Sequence, residues 1–141
     1  MWIGYLAYEN ALLGSLEQST GNANDGVQTA ATGVVALRKL ASQTGASSDV
    51  LYRAASVMVS VLPERLRDSR LAVQYAQRLA VRSHHQDPNS LLILAQAYLE
   101  DGQVEKAAQA ANEGLSHLPQ QLPGTSAVRC RVLLEYALKN R

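Results

Sequence analysis

Between Asp87 and Pro119 the chain carries two runs of helically spaced apolar residues separated by one Asp-Gly break. Nothing else in the sequence constrains the fold as much. In the first run Leu91, Leu94, Ala95 and Tyr98 recur at intervals of three and four, the spacing that gathers side chains on one face of an α-helix. Asp87-Pro88 opens that helix: the carboxylate accepts from free amides of the first turn, and the proline lacks an N–H where none is needed. Asp101-Gly102 closes it, and a second helix runs from Val104 to His117, stopping before Pro119. A connection this short folds the two helices back on each other as antiparallel neighbours. Ala95 and Ala107 allow a close crossing, and Gly102 can take the left-handed backbone that ends a helix.

The same reading extends along the chain. A helix is expected from Trp2 to Gln18, stopping at Thr20-Gly21-Asn22, and another from Val27 to Ala41. A third spans Val50 to Leu62, with Ser48 or Asp49 as cap and Pro63 following. A fourth covers Ser69 to Arg82 behind Asp68, and a last helix runs from Thr125 or Ser126 to Lys139. There is no Phe, Ala and Leu dominate the apolar set, and alternating strand-like runs are absent, so the fold class is all-α. The length of 141 residues suits one domain, 1–141. Its helix pairs would be about 2–41, 50–82 and 91–117, with a C-terminal capping helix at about 125–139. No pair can bury its apolar face alone, so stacking must supply the core.

The residues of the strongest pair resemble a known family. Leu91, Leu94, Ala95, Tyr98, Gly102, Ala107 and Pro119 fall at the marker positions of a tetratricopeptide repeat (TPR), and the segment from Leu94 to Ala107 is similar to that family throughout. Leu51, Ala54, Ala55 and Met58 resemble the first helix of a repeat, and Ala72, Ala76 and Leu79 the second. Near the start, Leu13-Gly14 and Gly21 fit, while Glu17 stands in place of the usual Tyr. The resemblance implies a right-handed superhelix, an α-solenoid of antiparallel helix pairs. Its first helices would line a concave wall that takes a peptide or a helix of a protein partner. On this alignment the wall positions are Tyr52, Ser56, Val59 and Ser60 in the second pair, and Leu92, Gln96, Leu99 and Glu100 in the third. The run from Leu62 to Asp68, the helix from Ala72 to Ala80 and Asp87-Pro88 are also similar to arrays found C-terminal to bacterial serine/threonine protein kinase domains. That likeness implies a regulatory or substrate-docking tail, because no Gly-rich phosphate loop, His-Arg-Asp or Asp-Phe-Gly is present in the chain.

Residue chemistry points away from catalysis. His84 and His85 are adjacent and would diverge by about 100° on a helix, and His117 is distant in sequence, so no metal site is expected. Cys130, the one cysteine, reads as a small packed residue, and it excludes a disulfide framework. No Gly-x-Ser-x-Gly elbow occurs, and Glu100, Asp101 and Glu105 lack the order of a calcium loop. The expectation is a non-enzyme without cofactor. A formal net charge of +1 argues against general nucleic-acid binding. Charge is nevertheless segregated: six arginines against two acids from Arg53 to Arg82, and five acids against Lys106 from Asp87 to Glu113. Solvated faces account for most of this, and a basic patch at Arg65, Arg67 and Arg70 is the functional alternative. Trp2, Tyr5 and Tyr8 form an aromatic stripe that packs internally or drives self-association. No run reaches the roughly 20 apolar residues of a membrane helix, and no basic segment follows Met1, so neither membrane insertion nor a secretory leader is expected. The cytoplasm is the default compartment.

Overall fold

The computed structural model describes residues 8–13, 23–61 and 64–117, together with helical positions 128, 132, 135, 136 and 139. Among these residues all regular structure is helical and there is no strand, as the composition requires. The elements are α1 (8–13), α2 (Ala23–Ala41), α3 (Ser48–Ser60), a 3₁₀ turn (Glu64–Leu66), α4 (Ser69–Arg82), α5 (Pro88–Glu100) and α6 (Val104–Ser116). The chain divides into two compact units, 1–75 and 76–141, with the division inside α4. Trp2, Tyr5, Pro119, Cys130 and most of the expected first and last helices lie outside the described residues.

In the first unit α2 packs against α3. Ala30, Val34, Leu37 and Ala41 of α2 are buried at helical spacing, and Leu51, Ala54, Ala55 and Met58 of α3 are fully buried. The α2 helix starts at Ala23, about one turn before the Val27 expected from apolar periodicity. The cap of α3 is Ser47, not Ser48 or Asp49: the Ser47 hydroxyl accepts from the Val50 amide at 3.2 Å. Asp49 is engaged one turn along, accepting from Arg53 Nε at 2.9 Å. After α3, residues 64–68 are tied back to the helix by two bonds. Arg67 Nε donates to the Val61 carbonyl at 2.9 Å, and the Asp68 amide donates to the Met58 carbonyl at 3.2 Å, which folds the segment back onto the end of α3. Asp68 caps α4 as expected, accepting from the Leu71 amide at 3.1 Å.

In the second unit α5 and α6 form a tight helical hairpin. Asp87 caps α5 and Pro88 occupies its first position, as the sequence indicated. Ala95 and Ala107 are buried, and α6 contributes Ala107, Ala108, Ala110, Ala111 and Gly114 to the interior. Gly102 has a φ of 77°, with its amide donating to the Leu99 carbonyl and the Gln103 amide to that of Tyr98. The end of α4 repeats the same bond pair without a glycine. His84 donates to Val81 and His85 to Ala80, and both histidines take positive φ, 52° and 57°. The loop expected around His84 and His85 is therefore a left-handed helix terminus. It is built from residues that rarely adopt that conformation.

Candidate functional site

The surface of α3 in the first unit holds four of the eight positions assigned to the peptide-contacting wall. Tyr52, Ser56, Val59 and Ser60 recur at i, i+4, i+7 and i+8, which places them on one side of the helix. Tyr52 is 38% exposed, so part of its ring reaches the surface. Ser60 is exposed, and Ser56 and Val59 are half-buried beside it. The Ser60 hydroxyl donates to the Ser56 carbonyl at 2.7 Å, so its oxygen remains available only as an acceptor. Next to this row, Arg53 lies 5.0 Å from the centroid of the Tyr8 ring while it pairs with Asp49. The Tyr8 end of the expected aromatic stripe is thus held under a cation and half-buried.

The four α5 residues of the second unit fare differently. Gln96 and Leu99 are half-buried and present part of their surface. Leu92 is only 5% exposed, in a run from Ser90 to Ala95 that is buried throughout. Its assignment to a peptide-contacting wall is corrected: a helix buried on nearly every side takes up Leu92 as packing. Glu100 is exposed at the helix end. Tyr98 is buried, its hydroxyl accepting from Gln77 Nε2 at 3.0 Å and its ring covered by Lys106 Nζ at 5.7 Å from the centroid.

Features absent from the sequence reading are few. A shallow cleft of about 390 Å³ in the first unit is lined by Asn10 of α1 and by Gln28, Thr29 and Thr32 of α2. The described residues lining it are uncharged, and the Thr32 hydroxyl donates to the Gln28 carbonyl at 2.9 Å. His85 Nδ1 stands 3.5 Å from Glu113 Oε1, bringing the α4–α5 turn to α6. Among the described residues no three His, Cys, Asp or Glu side chains are grouped so as to hold a metal ion. No helix among them is long and apolar enough to cross a membrane. Comparison with models of known protein families, with curated proteins and with solved structures gives no match to this chain.

Proposed function

We propose that the protein is a non-catalytic interaction module of tetratricopeptide-repeat type that binds a peptide or helix of a protein partner. The observation carrying this reading is the α3 row, in which an exposed Tyr52 is followed on the same side by Ser56, Val59 and Ser60. A partly exposed aromatic on a rigid helix loses little freedom on binding, and tyrosine is enriched at binding hot spots. Gln96 and Leu99 of α5 supply an amide and an aliphatic edge in the second unit. Two marks of the repeat agree with the family pattern: buried Ala95 and Ala107, and left-handed Gly102.

The test is selection of a displayed peptide library on the purified protein, followed by titration of the enriched peptide. Tyr52→Ala is expected to weaken binding by about tenfold or more, and Val59→Ala by less, with helicity unchanged. Equal affinity for wild type and for a Tyr52→Ala, Val59→Ala double variant would refute the assignment.

A further inference from the structure

We propose that one end of the first unit is a docking surface for an acidic segment of a protein partner. It is built by the last turn of α2, the 3₁₀ turn and the first turn of α4, and its contacts would be Arg38, Lys39, Arg65 and Arg70. Arg38 Nη2 lies 3.9 Å from Asp68 Oδ2, which brings the end of α2 beside the residue that caps α4. Arg65 stands three residues before Asp68 and Arg70 two after it, and both are exposed. Lys39 adjoins Arg38 in the last turn of α2 and is exposed as well.

Two of the nearby charges are occupied by the fold. Arg67 turns inward, bonds the Val61 carbonyl and pairs with Glu64 at 3.7 Å, so it shapes the turn. Asp68 serves the α4 amides and stands within reach of Arg38 only at the long end of ion pairing. Among the described residues no carboxylate lies within pairing distance of Lys39, Arg65 or Arg70.

The stability of the unit does not account for this placement. Arg38 and Lys39 are favourable near the negative end of α2, but Arg70 sits in the first turn of α4, where the helix dipole opposes a cation. The turn itself holds no acidic residue, and the acid at that helix end, the cap Asp68, accepts from the Leu71 amide and lies 3.9 Å from Arg38. Among the described residues the Arg65 and Arg70 guanidinium forks have no carboxylate within pairing distance, and such forks match carboxylates in geometry. A continuous phosphate backbone fits less well, because Glu64, 81% exposed, and Asp68 stand among the arginines. A protein segment with spaced Asp or Glu side chains can avoid them. These residues differ from those of the α3 row, so this surface stands or falls separately.

The probe is a short fluorescein-labelled peptide of alternating glutamate and glycine, titrated against the whole protein by anisotropy at low ionic strength. Saturable binding that weakens with added salt is expected, with a loss of about tenfold or more in Arg65→Glu, Arg70→Glu. The charge-preserving Arg65→Lys, Arg70→Lys variant should fall between the two, since it loses the fork alone. Circular dichroism confirms that both variants keep their helicity, and Tyr52→Ala should bind the probe like wild type. The proposal is overturned by the absence of saturable binding, by unchanged affinity in the Glu variant, or by loss in Tyr52→Ala. Duplex DNA binding as tightly as the peptide would also overturn it, by showing a general polyanion surface.

Discussion

Asp87 does two jobs at the start of α5, and the structure allows the cost of removing it to be worked out. Its carboxylate accepts from the Asn89 amide at 3.3 Å and the Ser90 amide at 3.1 Å, and from the Ser90 hydroxyl at 2.6 Å. Ser90 is 4% exposed, so its hydroxyl has little access to water as a substitute. Asp87→Ala therefore removes a helix cap, about 1 kcal/mol, and strands a buried hydroxyl, a further ~1–3 kcal/mol. A total of about 2–4 kcal/mol lowers the melting temperature by about 6–16 °C for a chain of this size. Asp87→Asn keeps an acceptor for the amides and should lose less than about 1 kcal/mol. The decisive arm is Ser90→Ala, measured by thermal and urea unfolding in both backgrounds. It should destabilise the wild type by about 1 kcal/mol yet be neutral or stabilising once Asp87 is Ala, because the stranded hydroxyl is then gone. If the two substitutions simply add, or if Asp87→Ala shifts the midpoint by less than about 2 °C, the shared-carboxylate reasoning fails.

Ala95→Leu should overpack the α5–α6 crossing, where Ala95 is fully buried, and destabilise by about 1–3 kcal/mol by circular-dichroism melting; an unchanged midpoint would mean the helices do not cross there. Gly102→Ala and His84→Gly form a mirrored pair, since both positions carry a left-handed backbone after a helix. A Cβ at Gly102 would meet nothing within 4 Å, so the substitution isolates backbone strain and should destabilise by about 1–2 kcal/mol. His84→Gly should stabilise by on the order of 1 kcal/mol, and equal signs for the two would refute the common geometry.

Where the chain announces its own punctuation, the sequence was sufficient. The α4 helix begins at Ser69 behind Asp68 and ends at Arg82, and α5 begins at Asp87-Pro88, because caps and proline act locally. The α3 cap was misplaced by one residue because Ser47-Ser48-Asp49 offers three capable side chains, and only tertiary placement selects Ser47. The start of α2 was missed because a first turn needs no apolar periodicity to be helical. Nothing in a His-His pair signals two positive φ values; that turn is imposed by the helices it joins. At the candidate site, alignment with the repeat pattern named the α3 row, whose four residues are exposed or half-buried. It failed for Leu92, since the consecutive apolar residues Leu91 to Ala95 leave no open face for a template to identify.

The interior face of α6 is made of alanines and one glycine, residues without rotamers to freeze. Docking this helix therefore loses almost no side-chain entropy, whereas each leucine in its place would lose about 0.5–1 kcal/mol. A surface of methyl groups also has shallow ridges, so α5 can find little interdigitation to lock its axial position against α6. Alignment of the two helices must then come in large part from the segment that joins them. There the amides of Gly102 and Gln103 turn back to Leu99 and Tyr98, and Gln103 Nε2 donates to Asp101 Oδ2 at 2.6 Å. Three residues of turn thus share with the Lys106–Tyr98 contact the task of fixing the sliding register, which side-chain packing performs in most helix pairs.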